Sequence, residues 1–213
     1  MRTDELIFLL ARDPARIDPG AMRRRYWVAL GLGILAALAM VLVHWGIRPD
    51  LALAATLPMF WVKLGFPIAL ACAALAAVSR LARPARKLGR IRALIAAPIG
   101  ALWLLALAQL LTSPVHIRNE LIFGQSWAEC VVSVAALAAP AFAALLWALR
   151  GFAPTRLRAT GTAAGLLAGA IGAAVYALHC PEMTAPFIGL WYLLGMIVPA
   201  VFGFWIGPQI LRW

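Results

Sequence analysis

Acidic side chains are scarce in this chain of 213 residues: eight aspartates and glutamates stand against 19 lysines and arginines. Charged residues of both signs make up only 13%, 64% of the chain is hydrophobic, and the mean hydropathy is +0.91. A soluble domain carries about 25% charged residues, so there is too little polar surface to cover a fold in water, and a soluble enzyme domain is excluded. Cysteine is sparse too. Three thiols, none in Cys-x-x-Cys spacing, give no basis for a zinc ribbon or a disulfide-built domain. The apolar runs also lack the alternation of barrel strands, and an open strand edge cannot satisfy its backbone in lipid. What remains is an all-α integral membrane protein.

Each crossing needs about 20 apolar residues. Six runs qualify: Tyr26 to Trp45, Leu57 to Val78, Ala93 to Leu111, Cys130 to Leu149, Thr160 to Leu178 and Pro186 to Ile206. The chain therefore divides into a short N-terminal segment, residues 1–25, and a six-helix transmembrane domain, residues 26–213. Pro67, Pro98, Pro140 and Pro199 lie inside the runs and predict bends rather than breaks.

The net charge of +11 would suggest nucleic acid in a soluble protein. Here 16 of the 19 basic residues fall before span one, between spans two and three, between spans four and five, or at the C-terminus. All of these lie on one side of a six-span chain, and the positive-inside rule makes that side, with both termini, cytoplasmic. The charge is an orientation signal that also suits anionic lipid head groups. The basic loops lack the interleaved aromatics of a nucleic-acid surface, so no direct nucleic-acid contact is expected. Arg23-Arg24-Arg25 flanks the first span and orients it, and that span is too long for a cleavable signal.

Gly161, Gly165 and Gly169 recur at steps of four in span five and fall on one helical face, where they serve helix packing or a dimer contact. Span five is expected to be the most buried. Ionisable groups inside the spans are almost absent, which argues against a proton relay. Lys63, about two turns inside the end of span two, reads as an interfacial anchor that snorkels outward. Trp45, Trp61, Trp127, Trp191, Trp205 and Trp213 cluster near span ends, as an aromatic belt does. His44 and His116 sit near the outer surface without an obvious partner, so no haem site is evident. Cys72, mid-span among alanines, reads as a small hydrophobe.

The other two thiols differ. Cys130 begins span four and Cys180 follows span five, so both belong to the outer face, with Glu129 beside one and His179 and Glu182 beside the other. Thiolate and imidazole suit thiophilic metals, and the carboxylates would tune or complete such a site. Cys130, Cys180, His179, Glu182 and Glu129 are therefore candidate ligands for a transient thiophilic metal ion, with no permanent cofactor. A structural disulfide, or two inert small residues, would equally account for the pair. On the other face, Met1 to Arg25 holds a short helix capped by Thr3 or Asp4 and ended by Asp13-Pro14. Its apolar stripe Leu6, Ile7, Leu9 and Leu10 is too short to stand alone in water and is expected to dock on a partner groove or the inner leaflet.

Gln125-Ser126-Trp127-Ala128-Glu129-Cys130, Tyr176-Ala177-Leu178-His179-Cys180-Pro181-Glu182, Phe187, Trp191-Tyr192, Gly195, the closing Leu211-Arg212-Trp213 and the opening Met1-x-Thr3-x-x-Leu6-Ile7 together resemble the NrsF-type family of bacterial membrane anti-sigma factors. The resemblance spans nearly the whole chain and is strongest in its second half. It implies a multi-pass protein of the bacterial inner membrane that holds an extracytoplasmic-function sigma factor inactive on the cytoplasmic side and releases it under heavy-metal or oxidative stress. It further implies that Cys130 and Cys180 match the family's sensing cysteines. No motif marks the sigma-binding surface. Two readings from other classes stand beside it. One is a small transporter or channel for a metal ion or lipid that uses Lys63 and the thiols, although no half-helix repeat favours it. The other is an assembly protein whose two cysteines form a structural disulfide.

Overall fold

A computed structural model describes residues 5, 19–82, 89–152 and 154–212. Among these, regular structure is entirely helical, and six helices are long and apolar enough to cross a membrane. They are α1 (Pro19–His44), α3 (Pro58–Leu81), α4 (Ile91–Thr112), α6 (Trp127–Leu149), α7 (Leu157–Tyr176) and α9 (Leu193–Ile210). Short helices α2 (Leu51–Ala54), α5 (Arg118–Phe123) and α8 (Ala185–Phe187) lie between them. A π-helical stretch, Ile188–Tyr192, joins α8 to α9, so that 185–210 is one continuous span. The stripe Leu6, Ile7, Leu9 and Leu10 lies outside the described residues.

Local chemistry sets the ends. Pro58 opens α3 at a position whose N–H no helix would use. Beyond α1, the Trp45 and Gly46 amides fold back to the Val41 carbonyl, and Gly46 takes a left-handed φ of 73° that ends the helix. The internal prolines Pro67, Pro98, Pro140 and Pro199 leave their helices unbroken. The largest departure from the sequence-derived bounds is at the start of the first span. Helix α1 starts at Pro19, so Arg23, Arg24 and Arg25 belong to the helix and not to a segment before it, and the helix runs through the expected division at residue 25. One reason is visible at Arg25: its guanidinium lies 3.9 Å from the Trp147 ring and donates to the Trp147 carbonyl at 2.7 Å, close to the C-terminal end of α6. That end offers orphan carbonyls and a negative dipole.

The spans alternate in direction. The start of α1, end of α3, start of α4, end of α6, start of α7 and the residue after α9 share one buried cluster, including Tyr26, Leu81, Ile91, Leu149, Leu167 and Leu211. This is the basic end. The opposite ends share a second cluster containing Val41, Phe66, Leu102, Cys130, Tyr176, Cys180 and Tyr192, here termed the thiol end. Helix α7 is central, 78% buried and packed against α9, α6 and α3, whereas α4 is peripheral at 11%. Large apolar side chains such as Leu35, Val43, Leu104, Leu111 and Val132 point away from the core, toward where lipid would lie.

The contact between α7 and α9 is made backbone to backbone. A Cβ on Gly161 would strike the Gly203 carbonyl oxygen, one on Gly165 the Pro199 carbonyl, and one on Gly169 would lie 2.8 Å from the Met196 Cα. Lipid tails are as apolar as side chains, so close van der Waals packing must hold the helices together, and only small residues permit this approach. Gly165→Ala is expected to cost ~1–3 kcal/mol by overpacking and to lower the melting temperature in detergent. Gly31→Ala, with nothing within 4 Å of the added carbon, should leave melting unchanged or slightly higher. Equal melting of the two variants would refute a close-packed seam.

Candidate functional site

At the end of α7 the chain tightens into a turn. The Leu178 amide donates to the Val175 carbonyl, and the His179 and Cys180 amides both donate to Tyr176. Pro181 has no amide to continue the turn, so the chain leaves it as a short connector, Cys180 to Thr184, before Ala185 opens α8. Neighbouring elements grip this connector and the turns that flank it. The Arg48 amide donates to Leu178 at 3.1 Å, and Thr184 Oγ1 donates to Leu121 in α5 at 2.7 Å. The Ala185 amide donates to the Gln109 side chain in α4 at 2.9 Å, and Trp191 Nε1 to Ile122 at 2.7 Å. Trp191 also packs with Trp127 and Phe123, seating α5 on the bundle.

Two cationic side chains converge on one carbonyl. Lys63 Nζ lies 2.5 Å from the Cys180 oxygen and 2.8 Å from the Glu182 oxygen, with the Tyr192 ring 5.4 Å away. Arg48 adds a bond from its terminal nitrogen to the same Cys180 oxygen at 3.3 Å. Its other nitrogens fork onto both oxygens of Asp50, at 2.7 and 2.6 Å. That hydrogen-bonded pairing holds the Asp50 carboxyl below its ordinary value of 3.8 and raises Arg48.

Lys63 does not snorkel outward. Its side chain has no exposure at all, because main-chain oxygens of the connector satisfy the ammonium inside the protein better than a stretched stem at the interface would. The sequence offered a signal for this: Lys63 is the one cation inside an apolar run, and an intramembrane charge is a functional candidate by default. The signal was outweighed by its nearness to the span end. The contributions of Arg48 and Gln109 to the connector were not legible, since Cys180 and Ala185, which they bind, are distant from them in sequence.

The five candidate ligands are partly brought together. Cys130 and Cys180 are free thiols, both completely buried in one cluster, so they sit at the expected end of the bundle but do not face outward. Glu129 is exposed while Cys130, the next residue, turns inward. His179 Nδ1 donates to the Gly46 carbonyl at 3.1 Å, and that bond ties the turn to the end of α1. Glu182 accepts the Gln125 amide at 2.8 Å, its carboxylate lying where a Cβ on Gly124 would be. Gly124 also holds φ at 55°, a conformation that favours glycine. Among the described residues no three His, Cys, Asp or Glu side chains are gathered to hold a metal ion. Two sulfurs are therefore the donors this arrangement offers, with the imidazole and carboxylate occupied in fastening the connector. Tyr192 and Ser126 add buried hydroxyls beside this region that find no hydrogen-bond partner among the described residues. Cys72 faces outward from α3.

Comparison with known proteins places these residues in context. A family described as "Negative regulator of sigma F", NrsF, matches residues 10–213. The chain is 45% identical over 213 residues to a probable anti-sigma-F factor NrsF of Azospira oryzae, and 44% identical over 215 residues to the anti-sigma-F factor NrsF of Caulobacter vibrioides; each match covers 100% of both chains. No solved structure matches.

The Arg48–Asp50 pair makes a pH prediction. A carboxyl whose value is lowered in the folded protein stabilises it above the unfolded value near 3.8, and that contribution is lost as pH falls through the lowered folded value. Asp50→Asn should melt below wild type at pH 6, with the difference closing as pH falls through the lowered folded value. The gap should be small because the pair is solvent-screened. A difference that widened in acid would contradict the assignment.

Proposed function

The chain belongs to the NrsF family of negative regulators of sigma F, and on that premise we propose that it is an inner-membrane anti-sigma factor that holds an extracytoplasmic-function sigma factor at its cytoplasmic face and frees it when Cys130 and Cys180 meet heavy-metal or oxidative stress. Family membership makes it a regulatory protein with a sigma-factor partner, and not an enzyme. The basic end is the cytoplasmic one in this proposal, following the positive-inside rule. The N-terminal stripe Leu6, Ile7, Leu9 and Leu10 is its sigma contact. The thiol end then faces the opposite side, and no contact of either thiol with nucleic acid or a permanent cofactor enters the mechanism.

The observation that carries the sensing role is the burial of both free thiols in one cluster, Cys180 within a connector held at main-chain atoms. A thiophilic metal ion or an oxidant reaches those sulfurs only when the connector lifts. Such a ligand binds one arrangement and not the other, which is the condition for shifting a population. The connector is continuous with α7 on one side and with the last span on the other, and the glycine seam couples those two helices along their length. A displacement at the thiol end is thereby presented to the basic end as a change in the packing of α7 and α9. Tenfold weaker sigma binding needs about 1.4 kcal/mol of such coupling.

In cells challenged with a cadmium salt or hydrogen peroxide, Cys130→Ser and Cys180→Ser proteins should keep the sigma factor bound while wild type releases it. Both variants should still co-purify with the sigma factor from unstressed cells. Stress-dependent release that persisted in both would remove the thiols from the mechanism.

A further inference from the structure

We propose that Lys63 is a positioning residue of the thiol site: its ammonium latches the connector that carries Cys180, so that exposing the thiol and freeing the lysine are one event. The inference rests on the sensing role assigned to Cys180 and deepens it by naming what keeps that thiol enclosed.

Lys63 is fully buried, and among the described residues no carboxylate pairs with it. Its charge is met by the Cys180 and Glu182 oxygens and by the Tyr192 ring. All three belong to the connector and the last span, whereas Lys63 stands on α3, a helix packed against α7. The two carbonyls bracket Pro181, so one ammonium pins the connector on both sides of its proline. Lifting the connector takes both acceptors away and leaves the buried ammonium facing the Tyr192 ring alone, which is far costlier than losing two ordinary hydrogen bonds. Arg48 behaves differently. It also donates to Cys180, but its fork onto Asp50 survives when the connector departs. Lys63 alone is wholly dependent on the closed arrangement, and this dependence makes opening a two-state event instead of a gradual loosening.

Lys63 and Lys87 are the two lysines of the chain, which makes the latch measurable by amine chemistry. Full-length protein carrying Cys72→Ser and Cys130→Ser, with Cys180 as its one thiol, would be treated in detergent with formaldehyde and a borohydride, and methylation of each lysine read by mass spectrometry. Lys63 should react at least about tenfold more slowly than Lys87, and should speed up by about tenfold or more once N-ethylmaleimide has alkylated Cys180, a bound that the loss of one hydrogen bond to a charged group would already reach. In the same background, Lys63→Met should raise the alkylation rate of Cys180 by about tenfold or more, and Arg48→Gln by clearly less. A Lys63 that stays protected after complete alkylation of Cys180 overturns the latch, as does an unchanged alkylation rate in a folded Lys63→Met protein. Should Lys63→Met melt before it can be assayed, the methylation comparison, which keeps the native lysine, decides. Stress release that survived Cys180→Ser in cells would remove the sensing role while leaving this chemical result standing.

Discussion

The structure depends on one constraint: inside lipid, a polar group must find its partner within the protein. For most of the chain, helices meet that demand through their own backbones. The demand becomes informative at the connector between α7 and the last span, where regular hydrogen bonding stops at Pro181. The carbonyls left over there are taken by Lys63 and Arg48, and the amides and carbonyls around them by Gln109, Glu182 and Thr184. Side chains that a sequence reading would offer to a metal ion or to solvent are employed in closing a loop; Cys180 is buried in that loop, and Cys130 is buried in the same cluster.

The second half of the fold follows from packing without a hydrophobic driving force. Helix α7 sits at the centre because its glycines and alanines let several helices approach at once, and α9 approaches closest. A seam in which backbone meets backbone leaves little room for sliding. It is the kind of interface that shifts between discrete arrangements, since small continuous deformations would drive carbonyls into neighbouring Cα atoms. The π-helical stretch Ile188–Tyr192 lies between the connector and this seam. π-helical turns are frequent at functional sites, and this one carries Tyr192, the ring beside the Lys63 ammonium.

What was legible in the sequence was what lipid dictates. Spans could be read from apolar run length, and the burial of span five from Gly161, Gly165 and Gly169. The gathering of Cys130 and Cys180 at one end followed from counting crossings. What was not legible depended on contacts between distant residues. Thr184 and Trp191 bind the Leu121 and Ile122 carbonyls of the helix Arg118–Phe123, and nothing in its own six residues announces that. Lys63 looked like an anchor because sequence shows the length of a stem and not the direction it takes. The thiols share one end of the bundle, yet they are buried there, and the contacts from Lys63, Arg48 and Gln109 that position the connector are not written in the sequence. Glu129, His179 and Glu182 have the chemistry of ligands, but one is exposed and two are fastened to the main chain.

The central claim is that closure over the thiols and affinity for the sigma factor are two readings of one equilibrium. Coupling of this kind is reciprocal by thermodynamic necessity. The most direct test is therefore the alkylation rate of Cys180 in the purified protein with and without its sigma factor bound. The account predicts that bound sigma factor slows alkylation by the same factor by which alkylation weakens sigma binding. An alkylation rate indifferent to the sigma factor would contradict it.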